Sequence, residues 1–221
     1  MTKSNILRLD NVNVAYGEKV ACKEISLQIA QGELYALVGP NGAGKSSLIG
    51  AITSQLRVRN GSISICGEPS SSKTAKQKLG LAPQQPALFE KLTAEENAVT
   101  FMELWNASKD KIQTRNDARN AIATFGLDPD NKRYVSSYSG GMKQRLNLAI
   151  ATAHKPKLLI LDEPTANLDP QGDTIVTDAL QTFLETGSAI LLVTHDLKQA
   201  QILAARVGVM KQGLLLSLIH I

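Results

Sequence analysis

The stretch Leu34-Tyr35-Ala36-Leu37-Val38-Gly39-Pro40-Asn41-Gly42-Ala43-Gly44-Lys45-Ser46-Ser47 decides how this chain folds. Its first five residues form an apolar run without alternation, the pattern of a strand buried on both faces. Gly39–Ser46 then fits G-x-x-x-x-G-K-[ST], and a helix is expected from about residue 44 to 54. Glycines permit backbone conformations that aim successive N–H groups at phosphate oxygens, and a helix N-terminus adds positive potential there. Lys45 would reach the β- and γ-phosphates as a compact charge, and the Ser46 hydroxyl would ligate Mg²⁺. With an apolar strand before it and a helix after it, the loop predicts nucleotide binding. It does not say which nucleotide, or to what end.

Working outward, residues 6–14 and 25–29 alternate apolar and polar side chains, as half-buried strands do, and residues 61–67 form a further strand bounded by glycines. From about residue 93 to 153 the periodicity is helical. Thr93-x-x-Glu96 is a capping box, and Phe125-Gly126-Leu127-Asp128-Pro129 carries helix stop signals. Strand-like 158–161, a helix near 170–185, strand-like 189–193 and a helix near 196–205 then alternate, which argues for a parallel sheet covered by helices. Lys73, Lys76 and Lys78 lie in a Ser-rich stretch expected to be a loop, with no function assigned.

Composition excludes several classes. The chain has 221 residues, 43% of them hydrophobic and only 4% aromatic, so a Leu/Ile/Val/Ala core is expected. Cys22 and Cys66 stand far apart without a CxxC or His-rich context, which points to buried free thiols in a reducing cytosol. The net charge of +4 fits a solvated surface, and no direct nucleic-acid partner is expected. The N-terminus lacks the apolar core of a signal peptide, and no apolar run is long enough to span a bilayer. The expected location is cytoplasmic, with any membrane role carried by a partner.

Leu158-Leu159-Ile160-Leu161-Asp162-Glu163 places two carboxylates at the end of a buried strand. Open α/β sheets bind ligands at the carboxyl ends of their strands, so both acids are expected to face the phosphates. Asp162 suits the Mg²⁺ shell, through water. Glu163 suits polarising the water that attacks the γ-phosphate.

Between loop and acids lies Tyr138-Ser139-Gly140-Gly141-Met142-Lys143-Gln144-Arg145. It resembles the signature motif of ATP-binding cassette (ABC) proteins, usually written LSGGQ, and with it the resemblance covers nearly the whole chain. The resemblance implies an α/β fold: a P-loop NTPase core with a parallel sheet flanked by helices, an N-terminal antiparallel β subdomain and an inserted α-helical subdomain, in one domain over 1–221. It implies ATP and Mg²⁺ as ligands. Tyr16 would stack on adenine, and residues Gly39, Pro40, Asn41, Gly42, Ala43, Gly44, Lys45, Ser46 and Ser47 would hold the phosphates. Gln84, placed directly after Pro83, resembles the glutamine that contacts Mg²⁺ or the attacking water and senses a membrane partner; Gln85 is the alternative register. His195, in Val193-Thr194-His195-Asp196, resembles the switch histidine at the γ-phosphate. Glu163, His195, Lys45 and Gln84 would form the catalytic set, and Ser46, Gln84 and Asp162 the metal set.

The signature also carries an assembly expectation. Ser139 is a good N-cap, and Gly140 and Gly141 let backbone N–H groups approach an anion. In the family this helix end meets the ATP of a second subunit, so a homodimer or heterodimer of such subunits is implied, peripheral to an integral membrane transporter subunit. Asp169, before Pro170, would cap a helix and act across that interface. Tyr138 and Met142 depart from Leu and Gln in the motif, and SGGMKQR with Leu92-Thr93-Ala94-Glu95-Glu96-Asn97 resembles the export-type branch called ABC-2. A soluble ABC ATPase in DNA repair, translation or cluster assembly is the alternative. The closing Leu216-Ser217-Leu218-Ile219-His220-Ile221 matches the translation of a transposase-end adapter used in DNA library preparation, so it is expected to be read-through and His220 to carry no role.

Overall fold

The computed structural model describes residues 4–105, 110–165 and 168–220. Two compact units divide the chain: residues 1–79, 157–160 and 184–221 form the first, and residues 80–156 and 161–183 the second.

In the first unit, β1 (Asn5–Tyr16) and β2 (Lys19–Ala30) pair antiparallel through a turn at Gly17, whose φ of +58° glycine adopts without strain. Their apolar positions alternate inward, which is why Leu7, Leu9, Ile25, Leu27 and Ile29 are buried. After β3 (Leu34–Val38) and α1 (Lys45–Ile52), β4 (Val58–Ile65) and β5 (Glu68–Pro69) complete an antiparallel sheet of order β2-β1-β4-β5. The Lys73 segment is a short helix, α2 (Lys73–Gln77), rather than a loop. The Ser72 hydroxyl caps it by accepting from the Ala75 N–H at 3.1 Å, a signal hidden among four successive Ser/Lys residues.

The second sheet has the order β10-β9-β3-β8-β7-β6, built from β6 (Leu79–Ala82), β7 (Leu158–Asp162), β8 (Ala189–Thr194), β9 (Arg206–Lys211) and β10 (Leu214–His220). β3 runs parallel to both β8 and β9, and β10 returns antiparallel to β9. Every residue of β3 and β8 is buried, as the unbroken apolar runs require. Tyr35 is the largest side chain in this layer. Its ring lies 5.2 Å from the Arg206 guanidinium, and its hydroxyl occupies the space a Cβ would take at Gly208.

In the second unit, α3 (Ala94–Leu104), α4 (Lys111–Thr124) and α5 (Gly140–Ala153) pack on one another. The capping box is formed: the Thr93 hydroxyl accepts from the Glu96 N–H, and the Glu96 carboxylate accepts from the Thr93 N–H at 2.8 Å. These bonds hold the Glu96 carboxyl below its ordinary pKa. Buried Glu95, one residue earlier, pairs with Arg115 and Arg119 of α4. α4 closes at Phe125 and Gly126, the latter at φ +67°. α6 (Pro170–Glu185) and α7 (Leu197–Leu203) match the expected helices. α7 packs on β3 and β8 in the first unit. Among the described residues, no helix is long and apolar enough to cross a membrane.

Candidate functional site

In the first unit, the loop after β3 is shaped by residues that only glycine fits. Gly44 stands at φ +107° as the N-cap of α1, and a Cβ there would collide with the Ala21 carbonyl and come 2.8 Å from the Met210 methyl. No side chain caps α1, so its first-turn N–H groups remain available to an anion. The Lys45 ammonium donates to the Gly39 carbonyl at 2.6 Å and the Pro40 carbonyl at 3.1 Å, which folds the side chain over its own loop. Two of its three donors are thus engaged.

Small-molecule sites run to about 300–1,000 Å³, and the open cavity on this loop measures about 670 Å³. Asn41, Gly42, Gly44, Lys45, Ser46 and Ser47 line it from the loop side, with Tyr16, Lys19, Val20 and Ala21 from β1 and β2. Tyr16 is half-exposed, and its hydroxyl lies 3.4 Å from the Ser47 hydroxyl, so the expected stacking residue stands on the wall of this cavity. Gln212 and Gly213 complete the lining. The sequence reading missed these two, although Lys211-Gln212-Gly213 carries the glycine expected of a tight hairpin. The Gly213 N–H donates to the Ala43 carbonyl at 2.9 Å, and its own carbonyl accepts from the Lys23 N–H at 2.8 Å. The Met210 carbonyl sits where a Cβ at Gly39 would be. The loop is therefore braced by the β9–β10 hairpin.

The β3–β8 register pairs Val38 with Thr194, so Gly39 and His195 leave neighbouring parallel strands at the same end. His195 is exposed. The buried Thr194 hydroxyl accepts from the Asp196 N–H at 3.0 Å, and the Asp196 carboxylate accepts from the Lys198 N–H at 2.8 Å, which fixes the turn that presents His195. Cys22, buried beneath the loop, has its thiol 3.5 Å from the Gly44 carbonyl, and burial pushes that thiol up to about 11. Cys66 is half-buried and also free.

The second unit holds the remaining candidates. Asp162 ends β7, and Glu163 follows at φ +51°, a left-handed conformation uncommon for a residue with a Cβ. Ser139 caps α5, its hydroxyl accepting from the Met142 N–H at 3.2 Å. Asp169 accepts from the Gly172 N–H at 2.7 Å, as the Asp-Pro pair predicted. Ser139, Gly140, Gly141, Met142 and Arg145 share a second cavity of about 350 Å³ with Leu168 and Asp169. Signature and Asp169 are thereby brought together.

Gln84 is exposed and follows Pro83, whose carbonyl accepts from the buried Asn147 side chain at 2.9 Å. On the preceding turn of α5, buried Gln144 donates to the Pro164 carbonyl at 3.1 Å. Lys143 pairs with Glu90 at 2.7 Å, and Arg145 donates to the Gly126 carbonyl at 2.8 Å. Neither Gln144 nor Asn147 was a sequence candidate. The available signal was two amides at i and i+3 of a helix, the second set between the apolar Leu146 and Leu148.

Residues 22–166, more than half of the chain, match the family described as ABC transporter. The linearmycin resistance ATP-binding protein LnrL of Bacillus subtilis is 36% identical over 94% of this chain and 67% of its own length. The Nod factor export ATP-binding protein I of Sinorhizobium fredii is 35% identical over 96% of this chain and 62% of its length. The lantibiotic transport ATP-binding protein SrtF of Streptococcus pyogenes is 33% identical over 94% and 88%. The chain thus spans about two thirds of the length of the first two. Among solved structures, an ATP-binding subunit of an ABC transporter superposes with a TM-score of 0.89 at 26% identity, covering 98% of this chain and 90% of that one. A dimeric ATP-binding cassette in a post-hydrolysis state with ADP and Pi superposes with a TM-score of 0.86 at 26% identity, covering 97% and 98%. Motif order, fold and relatives agree, and the chain belongs to the ABC transporter family, as an ATP-binding domain of it.

Proposed function

We propose that the chain binds and hydrolyses ATP as the nucleotide-binding subunit of an exporter whose membrane-spanning part is a separate protein. The observation that carries this is the cavity in which Tyr16, the glycine loop, Lys45, Ser46 and Ser47 converge. Tyr16 offers a flat face for the base, Lys45 a charge for the β- and γ-phosphates, and the uncapped start of α1 a set of N–H donors. Glu163 accepts a proton from the water that attacks the γ-phosphorus, as the bond to the β-phosphate bridging oxygen breaks. Gln84 and His195 orient that water and the γ-phosphate.

The donor set fits Mg²⁺. The Ser46 hydroxyl, the Asp162 carboxylate and the Gln84 amide oxygen are hard oxygen donors, the kind an ion takes that keeps several waters and substrate phosphates in its shell. Mg²⁺, when bound, neutralises charge developing on the transferred phosphoryl oxygens.

A dimer is supported by the second cavity, where Ser139, Gly140 and Gly141 present a helix start beside Asp169. A γ-phosphate bound to a second subunit is the anion that suits it. Export is supported by relatives that are named for Nod factor export and lantibiotic transport. These relatives do not favour a DNA-repair or translation role.

Purified chain should bind ATP saturably and release phosphate only when Mg²⁺ is supplied. Absence of saturable ATP binding would overturn the reading. Co-expression with the protein encoded by the adjacent gene should recover a complex containing several membrane spans. Recovery with ribosomes or DNA instead would remove the exporter assignment.

A further inference from the structure

Glu163 and Gln84, the two residues of the second unit assigned to the attacking water, have no rigid element of their own. Glu163 sits in a left-handed backbone conformation just past β7, and Gln84 lies exposed in the segment between β6 and α3. A strained backbone persists only where its surroundings over-determine it. Both segments are gripped from the same helix. Gln144 donates to the carbonyl of Pro164, the residue after Glu163, at 3.1 Å, and Asn147 donates to the carbonyl of Pro83, the residue before Gln84, at 2.9 Å. The two amides are buried, at 3% and 5% exposure, and stand three residues apart on one face of α5. A buried amide that held no partner would be costly there, so each bond has a strong reason to persist. The helix that carries both begins at Ser139, the end assigned to the second subunit's phosphate.

We infer that Gln144 and Asn147 are positioning residues for hydrolysis: α5 holds the carbonyls of the residues next to Glu163 and Gln84, Pro164 and Pro83, and so ties the two residues that handle the attacking water to the helix that carries the signature. The inference rests on the ATPase reading above. A displacement of the Ser139 end of α5 is then transmitted to Glu163 and Gln84 together, through two bonds rather than through the loop at 39–46.

The test uses the full chain with ATP and Mg²⁺. Gln144→Met and Asn147→Leu keep side-chain bulk and remove the donor. Each should lower kcat at least tenfold while ATP affinity, set in the first unit, stays within twofold. Combining Gln144→Met with Glu163→Gln should cost no more than Glu163→Gln alone, because residues that act as a unit are not additive. Unchanged kcat in both single variants, a parallel fall in affinity and kcat, or multiplying losses in the double variant would each overturn the inference. If Gln144→Met fails to fold, Asn147→Leu combined with Gln84→Ala supplies the same cycle at the other clamp. A wild-type chain that binds ATP but never hydrolyses it refutes the ATPase reading instead, a result distinct from an active wild type with equally active variants.

Discussion

β3 and β7 each end in a turn that presents chemistry, and the two turns are built in opposite ways. After β3 the awkward backbone is handed to glycine: Gly42 at φ +79° and Gly44 at φ +107° adopt conformations open to them without steric penalty. After β7 the awkward backbone falls on Glu163, at φ +51°, the residue proposed as the base. In the proposed mechanism the first turn acts through main-chain N–H groups and the second through the Glu163 carboxylate, whose Cβ stands on a left-handed backbone. There a buried amide from α5 holds the carbonyl of the next residue, Pro164. At the first turn glycine relieves the backbone and a distant hairpin braces it; at the second no glycine is available, and a contact from α5 holds the next residue.

The sharpest way to break this contrast is chemical. Glu163→Gln keeps the backbone and removes the base, so phosphate release should fall by a factor on the order of 10² to 10⁴ while ATP binding persists. Turnover within a few-fold of wild type would remove Glu163 from the role of base. At the other turn, Lys45→Ala should weaken ATP binding about tenfold or more, the scale of a lost charge-assisted hydrogen bond. Equilibrium titration with a fluorescent ATP analogue reads this directly, and unchanged affinity would mean the loop's N–H groups suffice alone.

A smaller but more specific effect separates the two backbones. Glu163→Gly should be about 1 kcal/mol more stable in urea than Glu163→Ala, because the Cβ is what the left-handed conformation penalises. Gly44→Ala should move the opposite way, by about 1–3 kcal/mol, since its Cβ meets the Ala21 carbonyl. Equal stability within either pair would show that the strain is relieved elsewhere. The weakest effect concerns Cys22 under the loop, whose folded-state pKa is raised to about 11 by burial. The fold favours its protonated form, so its contribution is complete below the ordinary thiol pKa and is lost as pH climbs from there toward 11. Cys22→Ala should flatten the alkaline limb of stability against pH, and Cys66 should alkylate faster than Cys22.

Much of this was legible in the sequence, for a physical reason. The loop, the capping box at Thr93–Glu96 and the caps at Ser139 and Asp169 are local: each is decided by residues within a few positions, and each formed as expected. The strands β3 and β8 announced themselves as apolar runs. The short helix at Lys73–Gln77 was read as loop because five residues carry too little periodicity. Gln144, Asn147 and Gln212 were missed because their partners, Pro164, Pro83 and the cavity wall, lie far away along the chain. Nothing in a window around them declares which carbonyl a buried amide will find.

The brace under the phosphate loop has a consequence for how the protein comes into being. The Ala43 carbonyl is bonded by Gly213, and Gly39 is packed against the Met210 carbonyl. A ribosome emits residues 39–46 well before the hairpin that seats them. A nascent chain halted before β9 therefore holds the complete motif yet lacks its floor, and its affinity for nucleotide should be acquired only once β9 and the turn at Gly213 have emerged, rather than when the motif first appears.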